Sequence, residues 1–164
     1  MRGGVRGIAD NDRRVILVTM AKYRASNTLV AAIKGFEGYT STPYKCAGGK
    51  WTIGYGHTRG ITARMHVTPE EAHRLLMQDL RSVEEKVNAL GVCRTQGQFD
   101  ALCDFAFNLG SGALEGSTLL FLIRRNAKEP LIRGQFARWV RAGGKICAGL
   151  VKRRAWEADR YFEE

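Results

Sequence analysis

The sequence predicts an α+β domain, mostly helical, with one small antiparallel β-region. Three observations carry this. Apolar residues recur at helical spacing in long segments, as in Ala72, Leu75, Leu76, Leu80, Val83 and Val87. One short stretch alternates with period two, setting Trp51, Ile53 and Tyr55 against Thr52, Gly54 and Gly56. Glycine pairs and prolines punctuate the chain between these segments. A chain of 164 residues fits one domain with room for two lobes, and 45% hydrophobic residues suffice for a core, which excludes global disorder.

Residues 1–26 read as an N-terminal extension. Met1 to Gly7 is rich in Gly and Arg and is expected to be loose, and Asp12 to Arg24 can form a basic helix with no assignable chemistry. The run Val15-Ile16-Leu17-Val18 is too short for a signal peptide core or a transmembrane segment, so neither is expected. Residues 27–38 form a helix with Leu29, Ile33 and Glu37 on one face, started by Asn27 and ended by Gly38. Gly48-Gly49 is a turn in the β-region that follows. Trp51, Ile53 and Tyr55 are expected to bury on one strand face. The other face carries Thr52 and two bare glycines, where a bulky substrate can approach the main chain.

Thr68-Pro69-Glu70-Glu71 is a capping box with Pro at the first helical position. It starts a helix of roughly five to six turns that reaches about Leu90. Gln96 to Leu109 is the next helix, with Phe99, Leu102, Cys103, Ala106 and Phe107 on its apolar side, stopped by Gly110-Ser111-Gly112. Ser117 to Arg125 and Gly134 to Arg141, the latter carrying Trp139, are further helices. Gly143-Gly144 is a break, and Leu150 to Glu163 is a last, strongly basic helix. No internal repeat is present.

The 26 Lys and Arg against 16 Asp and Glu give a net charge of +10, which points to an anionic partner or surface. The four cysteines, Cys46, Cys93, Cys103 and Cys147, show no Cys-x-x-Cys and no histidine at ligand spacing, so no metal site is expected. Free thiols formed in a reducing cytoplasm are the expectation.

The densest chemistry lies between Phe36 and Thr58. Glu37 ends an apolar stripe, and a carboxyl half-buried there should keep its proton longer than a free glutamate, which suits a general acid. The alternative, a helix-end Glu turned to water, stays open on this pattern. A thiol, Cys46, follows, and then a hydroxyl, Thr52, in the glycine-flanked strand.

This order of residues is specific. Glu37, eight residues, Cys46, five residues and Thr52, followed by Gly54-Tyr55-Gly56-His57-Thr58, resembles the phage T4-type lysozyme (endolysin) family, glycoside hydrolase family 24, in its variant with Cys in place of Asp. The resemblance runs from about Asn27 to the C-terminus. It implies a lysozyme-like fold: residues 27–67 as acid-bearing helix and β-region, 68–90 as a helix connecting two lobes with the cleft between them, and 91–164 as a helical lobe. It implies hydrolysis of the β-1,4 bond between N-acetylmuramic acid and N-acetylglucosamine in peptidoglycan, for host cell lysis, with no cofactor. Glu37 would protonate the leaving oxygen, Cys46 would activate water or take the sugar on the opposite face, and Thr52 would hold that geometry. An unperturbed thiol with a pKa near 8.5 is only a few per cent thiolate at pH 7, so the site must lower it or use a minority form. The alternative of an inert core thiol stands beside this reading.

By the same resemblance, Thr58, Phe107 and Thr118 match substrate-contacting positions. His57 would pair with Asp79 as a structural ion pair, which should raise the histidine pKa. Asn108 and Trp139 would support each other at the back of the cleft. Arg153 or Arg154 is expected to face Glu37 and oppose the effect of burial. The resemblance further implies a monomer made in the host cytoplasm that reaches the wall with the help of a holin.

Two rival readings account for less of the sequence. A Cys46/His57 peptidase or amidase leaves Glu37 and Thr52 without a purpose. A nucleic-acid-binding protein fits the charge, but no nucleic-acid motif or basic-aromatic repeat accompanies it, so no nucleic-acid partner is expected.

Overall fold

The computed structural model describes residues 22–46 and 48–163. The loose start and most of the basic helix expected over Asp12 to Arg24 lie outside the described residues; Lys22 to Arg24 are described, and they are not helical. Instead, residues 23–26 form a strap across two helices, α2 (Pro69–Leu90) and α3 (Gln96–Leu109). Tyr23 exchanges hydrogen bonds with the Asn88 side chain at 3.0 Å each way, and the Ala25 N–H donates to Glu84 Oε1 at 2.7 Å. The Tyr23 ring stacks on Phe99.

The first helix, α1 (Asn27–Glu37), is capped by Ser26, one residue before the expected Asn27. Ser26 Oγ accepts from the Leu29 N–H and donates to the Asp100 carboxylate, so a contact 74 residues away selects the cap. Leu29 and Ile33 are fully buried in the larger of two apolar cores. Each such side chain contributes about 1.5–3 kcal/mol on burial.

Strands β1 (Thr40–Lys45) and β2 (Trp51–Gly54) pair antiparallel, with Tyr44 opposite Thr52 and Lys45 opposite Trp51. The clean alternation expected of Trp51 to Gly56 is not what forms. The strand ends at Gly54; Thr52, Ile53 and Gly54 are all buried, while Trp51 and Tyr55 are half-buried. Trp51 takes the Lys45 ammonium over its ring instead of entering a core. The bare face at Gly54 is also not open to a substrate. A Cβ on Gly54 would stand 3.0 Å from the Ala72 Cβ, so α2 fills that space.

Helix α2 begins with the full Thr68/Glu71 capping box. It links the two cores: Ala72 packs with Ile53 and Val67 in the small one, and Leu76, Leu80 and Val87 enter the large one. Among the described residues no helix is long and apolar enough to cross a membrane.

Helix α3 follows the expected bounds. Gly110 ends it, but the chain does not loop out there: α4 (Ser111–Glu115) seats Leu114 in the core before α5 (Thr118–Arg125). The helix expected over Gly134 to Arg141 starts earlier, as α6 (Leu131–Phe136) after Pro130. Trp139 lies beyond its end. Gly143-Gly144 is the turn of a two-residue hairpin between β3 (Arg141–Ala142) and β4 (Lys145–Ile146). Helix α7 (Ala148–Tyr161) closes the domain against α3. It is basic in sequence, but Arg153 and Arg154 are buried, not solvated.

Candidate active site

Glu37 is the last residue of α1, and its side chain is 25% exposed. It sits in the wall of a cleft of about 390 Å³ that is also lined by Gly56, Thr58, Asp79, Phe107 and Asn108. A second, larger cavity of about 650 Å³ also counts Glu37 in its lining, together with Phe36, Leu150 and Trp156. Gly56 is required where it is. Its φ of +91° is left-handed, and a Cβ there would meet Glu37 Oε2 at 3.4 Å. Main chain thus lies against one oxygen of the carboxyl.

The other oxygen is held by Arg153. Its Nη1 donates to Glu37 Oε1 at 2.7 Å, while Nε and Nη2 donate to the two oxygens of Asp104 at 2.9 and 2.8 Å. Of the two arginines expected to face Glu37, Arg153 does so; Arg154 donates to Glu157 and Asn108. Burial alone would lower the Arg153 pKa, but the Asp104 and Glu37 carboxylates outweigh it and push it up.

Cys46 follows β1 in a tight turn, where its N–H donates to the Lys50 carbonyl at 3.0 Å and its carbonyl accepts from Gly49 at 2.8 Å. The sulfur is half-buried and belongs to neither core. Its pKa lies below the ordinary thiol value. The Lys50 backbone is the main cause and the Gly48 backbone the next; partial burial opposes them, and the Thr52 hydroxyl adds a smaller lowering. Thr52 Oγ1 also lies 3.3 Å from the Lys50 carbonyl. Its one proton serves either that carbonyl or the sulfur.

His57 is buried, with Nδ1 at 2.7 Å from Asp79 Oδ2 and Nε2 at 3.0 Å from the Arg59 carbonyl. Both ring nitrogens are turned to Asp79 and Arg59 and neither makes a hydrogen bond to Cys46, as a thiol peptidase requires. Arg59 closes on the second Asp79 oxygen at 2.9 Å.

The cleft therefore brings together Glu37, Thr58, Asp79, Phe107 and Asn108. Cys46 and Thr52 neighbour each other in the β-hairpin. Thr118 is exposed on the first turn of α5. The mutual support expected of Asn108 and Trp139 takes another form. Asn108 Oδ1 accepts from Arg154 at 3.0 Å, and Trp139 packs edge-on against Phe105 at 5.4 Å. Sequence reasoning missed Asp104 and Glu157, both fully buried. The available signals were an acid inside the apolar run Leu102-Cys103-Asp104-Phe105 and a Glu one turn after paired arginines.

Residues 34–157 match the family model for phage lysozyme. The endolysin of Bacillus phage PZA is 41% identical over 129 residues, which are 76% of this chain and 50% of that protein. The chain thus spans about half the length of this relative and of the endolysin of Bacillus phage B103. The endolysin of Salmonella phage P22 is 37% identical over 79% of this chain and 92% of its own length. Among solved structures, the muramidase domain of SpmX from Asticaccaulis excentricus superposes with a TM-score of 0.78 at 34% identity, covering 87% of this chain and 99% of that one. A mutant of P22 lysozyme gives a TM-score of 0.74 at 31% identity, covering 86% and 99%. With three quarters of its length matched by the family model, the chain belongs to the phage lysozyme family.

Proposed function

We propose that this chain is a muramidase, an endolysin that hydrolyses the β-1,4 bond between N-acetylmuramic acid and N-acetylglucosamine in peptidoglycan and so lyses the host cell. The observation that carries the proposal is Glu37 in the wall of a cleft, fixed on one oxygen by Arg153 and faced on the other by Gly56. Glu37 gives its proton to the glycosidic oxygen as the bond to the anomeric carbon breaks. Water adds to that carbon, and its proton passes to the Cys46 thiolate if the sulfur acts as base. If the sulfur attacks the carbon first, water displaces it in a second step. The anomer released distinguishes the two routes. Thr52 steadies the sulfur; Thr58, Phe107 and Thr118 bind sugar units; His57 and Asp79 fix the loop that carries Thr58. Asn108 and Trp139 support the cleft wall from α3 and from the loop after α6.

The net charge of +10 suits an anionic wall. The enzyme works as a monomer, is made in the host cytoplasm, and reaches the wall through membrane lesions opened by a holin. The test is turbidity clearing of outer-membrane-permeabilised cells. Glu37→Gln and Cys46→Ser keep the wild-type circular dichroism yet fail to clear, Glu37→Gln the more completely, by at least about 100-fold. New reducing sugar ends accompany clearing by the wild type. Full activity in Glu37→Gln, or new amino groups in place of reducing ends, sinks the proposal.

A further inference from the structure

Three carboxyl groups, Glu37 and two fully buried ones behind it, share two guanidinium groups, Arg153 and Arg154. Asp104 from α3 and Glu157 from α7 are both 0% exposed. The two Asp104 oxygens are taken by the Arg153 fork. Glu157 Oε1 accepts from Arg154 Nη2 at 2.6 Å. Glu157 Oε2 is sealed from solvent and receives no hydrogen bond from any N–H or from any hydroxyl. The carboxyl that faces it is Asp104, whose own oxygens are held by the neighbouring arginine, Arg153.

Two carboxylates cannot hydrogen-bond to each other. Buried face to face they repel at low dielectric, and the usual resolution is one proton between them. Asp104 already holds a bidentate guanidinium, which favours its anion, so the proton belongs on Glu157. The charge count agrees. Fully ionised, Glu37, Asp104 and Glu157 set three anions against Arg153 and Arg154. With Glu157 neutral, two face two.

We propose that Glu157 is a positioning residue for Glu37: its carboxyl O–H donates to Asp104, and Asp104, held in this way, keeps the Arg153 fork turned toward Glu37. The charged groups facing Glu157 are Asp104 from α3 and Arg154 and Arg153 from its own helix. Burial first, and Asp104 second, push its proton affinity well up; Arg154 and Arg153 work against them and lose. The proposal rests on Glu37 acting as the acid.

Infrared difference spectroscopy at pH 7 between wild type and Glu157→Gln reads the proton directly. The expected result is a protonated-carboxyl C=O band present in the wild type and lost in the variant. A difference spectrum with no protonated-carboxyl band lost in Glu157→Gln overturns the proposal; a band common to both proteins, such as one from Glu37, cancels in it. Kinetics on soluble wall fragments give the second readout. The Gln amide can still donate to Asp104 and accept from Arg154, so kcat stays within about twofold of wild type. Glu157→Ala loses both bonds, and kcat falls about tenfold with KM unchanged. Equal losses in Gln and Ala would mean that an anion is needed there, and would overturn the proposal. If Glu157→Ala does not fold, the spectra of wild type and Glu157→Gln decide alone. The band is read without any substrate turnover, so its failure is distinct from failure of the muramidase reading.

Discussion

Arg153 reaches Glu37 across 116 residues of sequence, and it does so with the one guanidinium nitrogen that Asp104 leaves free. Position and charge at the acid are thus set by a fork that is itself locked in the core, 4% exposed. A point charge cannot do the same. Arg153→Lys keeps the cation but can serve one carboxylate well, not both. Arg153→Ala strands a fully buried Asp104 and should cost about 3–5 kcal/mol, with Arg153→Lys between it and wild type. Urea unfolding checks the stabilities. Wall clearing per folded molecule should fall in both variants, and an Arg153→Lys protein with wild-type stability and activity would show that the fork is dispensable.

Three of the four thiols, Cys46, Cys93 and Cys103, should separate by chemistry. Cys46 is held below the ordinary thiol value of 9.0 by the backbone of Lys50 and Gly48, so at pH 7 it carries more thiolate than a free cysteine. Burial pushes the Cys93 thiol up to about 12 and raises Cys103 as well. Alkylation of the native protein should therefore label Cys46 fastest, with a rate that rises at a pH below 9.0, and should reach Cys93 and Cys103 only on unfolding. Cys46→Ser removes the fast phase. Mild oxidation should abolish wall clearing and reductant restore it. A fast phase that persists in Cys46→Ser would place the reactive thiol elsewhere.

Local signals made much of the scaffold legible. The Thr68/Glu71 box, Pro69 and the apolar stripe of α2 lie within a few residues of one another, and so do the face and glycine stop of α3. Glu37 was legible for the same reason, as the end of a stripe begun by Leu29 and Ile33. The rest depends on partners far along the chain. Asn27 looks as good a cap as Ser26 until Asp100 holds the Ser26 hydroxyl. Gly54 reads as open backbone until Ala72 fills it. Asp104 and Arg153 are 49 residues apart, and neither position alone announces a buried fork. Trp139 missed its predicted helix because α6 ends at Phe136 and the chain turns into the short hairpin.

The strap before α1 lies in the N-terminal extension, where the sequence shows no assignable chemistry, yet Glu84, 3% exposed, binds it twice: Oε1 accepts from the Ala25 N–H at 2.7 Å and Oε2 from Arg24 at 2.8 Å. Removing that carboxylate leaves the Ala25 N–H without its partner. Glu84→Ala should cost about 1–3 kcal/mol of stability. Glu84 lines neither cavity beside Glu37, so clearing activity per folded molecule should stay at the wild-type level. Chemical denaturation and clearing assays on the same preparation decide. Unchanged stability would mean that the strap adds nothing to the fold.

Stability should also carry an unusual pH dependence, opposite in sign to ordinary acid denaturation. Most paired carboxylates have depressed pKa values and lose stabilisation as pH falls. Burial and Asp104 raise Glu157 well above its usual value of 4.5. Between 4.5 and its folded value the native protein keeps a proton that the unfolded chain releases, so the native state binds more protons there. The Glu157 contribution is therefore complete below 4.5 and is lost as pH rises toward and through the folded value. The loss is at most about 1.4 kcal/mol per pH unit. Glu157→Gln has nothing to titrate at this position. Its stability relative to wild type should improve as pH is raised above 4.5 and level off past the folded value, because only the wild type pays for holding the proton. Urea unfolding of the two proteins at several pH values measures this difference. A difference that stays flat across the range would mean that Glu157 is ionised in the folded protein, and that the two buried carboxyls share no proton.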